Sequence, residues 1–178
     1  MAAFPVSSTH TIAHLFHDDG IFPNNEACPL LLYQGAFGAS DQPMADDMEA
    51  TFADHNWRNA WRNGIYSYHH YHSTSHEVLG IAQGSAQVRL GGDKHGKTFD
   101  VKAGDVIVIP AGVAHKNLSS SSDFLVIGAY PDGRTWDMNY GRAGERPRVE
   151  QNIAQVPLPD HDPVFGEKGP LLTHWQAS

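Results

Sequence analysis

Residues 64–77 read Gly64-Ile65-Tyr66-Ser67-Tyr68-His69-His70-Tyr71-His72-Ser73-Thr74-Ser75-His76-Glu77, and Gly84 follows. On an extended chain alternate side chains share a face, so His70 and His72 point the same way with Cα atoms about 6.6 Å apart. Two imidazoles so placed converge on one ion. Glu77, five residues after His72, lies beyond one turn at the start of the next strand, where its carboxylate closes on the same ion. The fourth candidate is His115, at the end of the run from Gly104 in which Pro110 and Gly112 bend the chain and turn the histidine inward. Three neutral imidazoles and one carboxylate form a donor set suited to a single divalent Fe, Mn, Co, Ni, Cu or Zn ion. With an octahedral ion, four protein ligands leave two positions open; with tetrahedral zinc they close the site and make it structural.

Tyr66 and Tyr68 share the parity of His70, with Tyr68 the nearer, which makes Tyr68 the candidate catalytic proton donor or acceptor; ordinary barrel filling is the alternative. His69 has the opposite parity and is expected to face away from the ion, outward or into an interface. His76 belongs to the turn or to the outer support of the ligands. Neither is taken as a ligand. Tyr130 and Asp132 lie near a strand end, at the expected cavity mouth.

Outward from this stretch, residues 64–130 consist of short β-branched or aromatic runs broken by Gly and Asn, the spacing of an antiparallel sandwich or barrel. Asn63-Gly64 is expected to open a strand. Gly91-Gly92-Asp93 closes a hairpin after Ala86 to Leu90, Gly104-Asp105 forms a turn before the buried run Val106 to Ile109, and Phe124 to Tyr130 is a further strand. Residues 1–63 contain two strand candidates, Thr11 to Phe16 and Leu30 to Phe37. A helix follows, capped by Asp41 with Pro43 in its first turn, its stripe of Met44, Met48 and Phe52 set on a sheet. Trp57 and Trp61 fit core packing or a substrate wall, and Arg62 fits an ion pair with one of the chain's acids or an anchor for a ligand carboxylate. Residues 131–178 hold six of the eleven prolines and read as an extended arm over the barrel or over a second subunit.

The whole, 178 residues with 40% hydrophobic content, suffices for one core, so residues 1–178 are read as a single domain. A net charge of -8 without a basic run excludes nucleic acid and anionic membrane surfaces as partners. No stretch approaches the length of a membrane span and the first ten residues lack a leader pattern, so a soluble cytoplasmic protein is expected. Cys28 is read as a small buried residue.

The spacing G-x5-H-x-H-x4-E-x6-G at Gly64, His70, His72, Glu77 and Gly84 resembles the first cupin motif, and Gly104, Pro110, Gly112 and His115 resemble the second, G-x5-P-x-G-x2-H-x3-N, with Ser119 in place of its final asparagine. The stretches HDDGIFPNN, WRNGIYSYHHYHSTSHEVLGI, DFLVIGAYPDG, NIAQVPLP and DPVFGEKGPL extend the resemblance to the YjlB-like cupins. It implies an all-β double-stranded β-helix (jelly-roll) barrel with an N-terminal helix and an extended C-terminal arm, commonly a homodimer. It makes dioxygenase, oxidase or isomerase chemistry on a small oxygenated molecule the leading functional expectation. A non-catalytic binding or sensing barrel and a structural zinc barrel are the alternatives. Outward Ile65 and Tyr71 add to the homodimer expectation by offering surface to be covered.

Overall fold

The computed structural model describes residues 9–176. Nine strands form two antiparallel sheets. The larger contains β1 (His10–Phe16), β2 (Asn25–Gln34), β3 (Trp57–Asn63), β4 (Glu77–Gln83), β7 (Val106–Ile109) and β9 (Leu125–Pro131) in the order β1-β2-β7-β4-β9-β3; the smaller contains β5 (Ser85–Leu90), β6 (Lys97–Lys102) and β8 (His115–Ser120) in the order β6-β5-β8. Their facing surfaces share one core: Leu30, Leu79, Ile81, Ile107 and Val126 from the large sheet meet Ala86, Val88, Leu90, Phe99 and Val101 from the small one.

The central strands of the large sheet are buried on both faces, which is why Val106 to Ile109 and Val78 to Ala82 read as continuous apolar runs. The second face, with Tyr33, Val78, Val108 and Ala129, packs against helix α1 (Met44–Asp54) and against Val164, Leu171 and Trp175 from the C-terminal region. Gly80 makes this approach feasible, since a Cβ there would lie 2.7 Å from Met48 Sδ. Met48 and Phe52 face the sheet as the stripe predicts. The helix start differs from expectation. Pro43 is the N-cap, its carbonyl accepting from the Asp46 and Asp47 amides, and Asp41 makes no cap; Ser40 Oγ donates to Asp47 instead.

Two further expectations are corrected. No strand opens at Asn63-Gly64: β3 ends there, with Asn63 Oδ1 accepting from the Gly64 amide, and residues 64–76 carry only the single bridges His70 to His115 and Tyr71 to Asn139. It meets the start of β8 through backbone hydrogen bonds at His70 and Tyr66 but forms no continuous ladder with it. The C-terminal arm is also not simply extended. It contains α2 (Arg148–Gln155) and α3 (Pro170–His174), and it packs on its own barrel, where Asp162 takes hydrogen bonds from Tyr33 Oη (2.5 Å) and the amides of Val164, Phe165 and Leu171. Asp105 is the expected turn residue, accepting from the Gly35 and Lys102 amides. Cys28 is buried, and burial pushes its thiol up to about 11.

Candidate metal centre

Pairing brings the two motifs together. His70 and His115 exchange backbone hydrogen bonds of 3.2 and 2.9 Å, and the Gly112 amide donates to the His72 carbonyl at 2.7 Å. Gly112 adopts φ 95°, and any Cβ there would strike the Asn24 carbonyl and the Ile153 side chain, so the second motif needs glycine at this close crossing. Glu77 is the first residue of β4 and His115 the first of β8, so both project from the end of the barrel onto which residues 70–72 fold.

His70, His72 and His115 are buried, and each offers a ring nitrogen within 4.8 Å of those of the others. Every one of the three points Nδ1 at a backbone carbonyl: His70 at Tyr68 (3.1 Å), His72 at Asp137 (2.6 Å) and His115 at Val113 (3.1 Å). A carbonyl only accepts, so Nδ1 carries a proton, and in the neutral ring Nε2 keeps its lone pair. The Nε2 atoms of His72 and His115 lie 3.4 and 3.3 Å from Glu77 Oε1. Lone pairs and a carboxylate oxygen facing each other at such distances repel unless a proton or a cation lies between them. The donor set therefore fits a divalent transition metal, which His70, His72, Glu77 and His115 would hold.

Burial, and then the neighbouring His115, hold the His70 imidazole down to about 3, so it is neutral near pH 7. For His72 burial acts downward, but the Glu77 carboxylate outweighs it and shifts the ring upward. Burial would raise Glu77, yet His72 and His115 keep it well below the usual carboxylate range. The other carboxylate oxygen, Oε2, accepts from Tyr130 Oη at 2.6 Å, and Tyr130 Oη accepts from Trp61 Nε1 at 2.8 Å. Burial and the nearby Glu77 charge push the Tyr130 phenol upward, so it keeps its proton. Trp136 stacks on Tyr130 with ring centroids 4.3 Å apart.

The donors form the floor of a cavity of about 320 Å³, walled by Trp61, Ile65, Tyr66, Leu79, Tyr130 and Trp136. Tyr68, which alternation puts nearest the ion, does not line it. Because residues 64–76 are not a regular strand, Tyr68 is 45% exposed, stacked on Tyr66 outside and touching the His70 ring only edge-on at 5.9 Å. Ile65 and Tyr71 also differ from their expected outward placement: Ile65 lines the cavity, and Tyr71 is fully buried beside Phe22 and Ala114. His69 stands apart from the cluster of His70, His72 and His115, as expected, but the chain itself covers it, with its ring 5.3 Å from that of Phe22 and Nε2 donating to Asp93.

His76 supports the second motif from outside. Its Nδ1 accepts from the Ala111 amide at 2.9 Å and its ring packs on Trp175. Asp132 reaches Asn56 rather than the cavity, and Arg62 lines the mouth while paired with Asp46 and Glu49. The Asn117 side chain donates to Ser120 Oγ. Sequence reasoning missed Asp137, which carries no motif signal, and the role of Tyr130 as the partner of Glu77, which depends on the register of β9 against β4.

Residues 62–127 match the family model described as a cupin domain. The chain is 44% identical over 165 residues to the uncharacterized protein YjlB of Bacillus subtilis (strain 168), covering 93% of this chain and 96% of that one. Similar solved structures include acireductone dioxygenase from Bacillus anthracis with a cadmium ion in its active centre (TM-score 0.36, 16% identity, 52% of this chain and 60% of that one). Procruciferin, the 11S globulin from Brassica napus, matches with a TM-score of 0.38 and 14% identity over 74% of this chain and 27% of its own. Bacillus subtilis oxalate decarboxylase, with its Mn(II) centres, matches at 0.34 and 13% over 89% of this chain and 32% of its own. The chain thus spans about a quarter to three fifths of these solved proteins' lengths. Identity this high to YjlB along nearly the whole length, with a cupin model across the barrel, means that the chain belongs to the cupin family, in the group to which YjlB belongs.

Proposed function

We propose that this cupin is a metal-dependent enzyme acting on a small oxygenated molecule with a flat, largely apolar body, by dioxygenase- or oxidase-like chemistry, with isomerisation as the other reaction class. One observation carries the reading: three imidazole lone pairs and a carboxylate oxygen meet at the floor of a cavity with room for a ligand. That open side counts against a closed structural zinc site. The bound ion supplies Lewis-acid or redox activation of an oxygen-bearing ligand.

The protein's own residues do the rest. His70, His72 and His115 present bare Nε2 atoms because three carbonyls hold their Nδ1 protons. Tyr130 keeps its proton and, by donating it to Oε2, aims Oε1 of Glu77 at the histidines. Trp61, Leu79 and Trp136 exclude water and offer flat apolar contact. Tyr130 Oη, on the cavity wall, takes over from Tyr68 as the group able to exchange a proton with a bound molecule.

A second reading, ligand capture without turnover, rests on the absence of a free general base among the described cavity residues: Glu77 and Tyr130 are bonded to each other and Arg62 to two carboxylates. Metal analysis of untagged protein separates the readings when followed by water-proton relaxation and incubation with oxygen and a substrate panel. About one ion per chain, lost in His115→Ala, with exchangeable water on the ion and product formed, is the expected result. A metal without an open position overturns both, and saturable binding with unchanged ligand leaves capture alone.

We further propose a cytoplasmic homodimer whose contact uses the exposed Tyr66, Tyr68 and Leu118. A monodisperse monomer by light scattering at micromolar concentration overturns it.

A further inference from the structure

The carbonyl that fixes His72 belongs to Asp137, 65 residues away in the C-terminal arm. Six hydrogen bonds of Asp137 hold that carbonyl in place. The Asp137 carboxylate accepts from the Ser73 amide at 2.7 Å, the Thr74 amide at 3.2 Å, Thr74 Oγ1 at 3.3 Å and Ser73 Oγ. Its own amide donates to Thr74 Oγ1 at 3.2 Å. Asn139 Nδ2 donates to the same carboxylate at 2.9 Å, while Asn139 and Tyr71 exchange backbone hydrogen bonds of 2.9 and 3.0 Å. Asn152, on α2, donates to Ser73 Oγ, and Arg134 donates to the Thr74 carbonyl. The arm thus grips residues 71–74 from both sides of His72. Backbone hydrogen bonds to β8 reach only Tyr66 and His70, so at residues 71–74 these contacts supply the restraint that a sheet supplies elsewhere.

We propose that Asp137 is a positioning residue for the metal centre: it docks the C-terminal arm onto residues 73–74 and thereby sets the tautomer and orientation of His72. Ion binding and arm docking are then coupled, each strengthening the other. The inference rests on the reading of His70, His72, Glu77 and His115 as metal ligands. Asp162 serves as the internal control. It too fastens the arm, as a fully buried carboxylate where Asp137 is half-buried, through Tyr33 and three amides, but it touches no ligand.

The test uses the full chain and cobalt(II) alone, read by chelator competition and by the visible spectrum of the bound ion. Asp137→Ala is expected to weaken cobalt binding at least about tenfold and to change the spectrum. Asp137→Asn, which retains one acceptor oxygen, is expected to recover part of the loss. Asp162→Asn should bind as wild type does per folded chain. Hydrogen exchange on wild-type protein covers the case in which Asp137→Ala fails to fold: cobalt should slow the Ser73, Thr74 and Asn139 amides more than those of Val164 and Phe165. A loss below about tenfold in Asp137→Ala, an equal loss in Asp162→Asn, or uniform slowing overturns the proposal. Wild-type protein that takes up no cobalt overturns the metal reading itself, an outcome distinct from the others.

Discussion

Among the described residues, two buried carboxylates are bonded to tyrosines, and their surroundings differ. Asp162 Oδ2 accepts from Tyr33 Oη and the Leu171 amide, and its Oδ1 accepts from the Val164 and Phe165 amides, four donors for two oxygens. Glu77 Oε2 accepts from Tyr130 Oη in nearly the same way, but its Oε1 faces imidazole nitrogens whose protons are held on the far side of the rings. The first cluster is complete as it stands. The second needs a positive charge. A buried acid with all its acceptors filled by amides fastens a fold, whereas one aimed at bare lone pairs marks a site.

The contrast can be broken most forcefully at the two acids. Asp162→Ala strands four donors and is expected to cost about 3 kcal/mol in denaturant unfolding, with metal affinity per folded chain unchanged. Glu77→Gln keeps the size and removes the charge. Its metal-free form should stay within about 1 kcal/mol of wild type while losing metal affinity. Equal destabilisation by both changes would show that Glu77 is as much a fastener as Asp162.

Next in size is the response to metal. Free zinc at a hundred times its Kd should stabilise the wild-type protein by about 2.7 kcal/mol, measured as a shift in denaturation midpoint, and should leave Glu77→Gln nearly unmoved. The tyrosines sharpen the comparison further. Tyr33→Phe is expected to cost about 1.5 kcal/mol of stability with unaltered metal binding, and Tyr130→Phe to weaken metal binding about tenfold with a smaller effect on folding, since Tyr130 borders the cavity.

The smallest effect lies on the surface, where Asp18 pairs with Arg146. The hydrogen bond from Arg146 holds the Asp18 carboxyl below its ordinary value, so its contribution is present above the unfolded carboxylate pKa near 3.9 and is lost as pH falls through the lower folded value. Asp18→Asn should flatten the stability profile below about pH 4 by well under 1 kcal/mol, because the pair lies at the surface with both groups partly exposed and screened by solvent.

Much of the barrel and of its site is legible in the residues alone. His70, His72, Glu77 and His115 stand at motif spacing, and the Met48 and Phe52 stripe and the apolar runs of β4, β7 and β9 announce a helix on a barrel. Tyr68 shows where alternation fails. It describes strands, and the chain between Asn63 and Glu77 is held at isolated points, so His70 and His72 share a face there while Tyr68 leaves it. Arm residues such as Asp137 and Asp162 give no periodic signal, because their roles depend on partners 63 and 129 residues away.

Residue types and short spacings by themselves determined the barrel, the position of the helix and the choice of the four candidate donors, since each of these follows from local periodicity or from motif order. Only the tertiary structure decided which ring nitrogen each histidine presents, that Tyr130 rather than Tyr68 borders Glu77, and that the C-terminal arm completes the support of His72. The physical reason is that tautomers and carboxylate orientation are set by single hydrogen bonds, and here those bonds come from carbonyls and hydroxyls brought into place by packing.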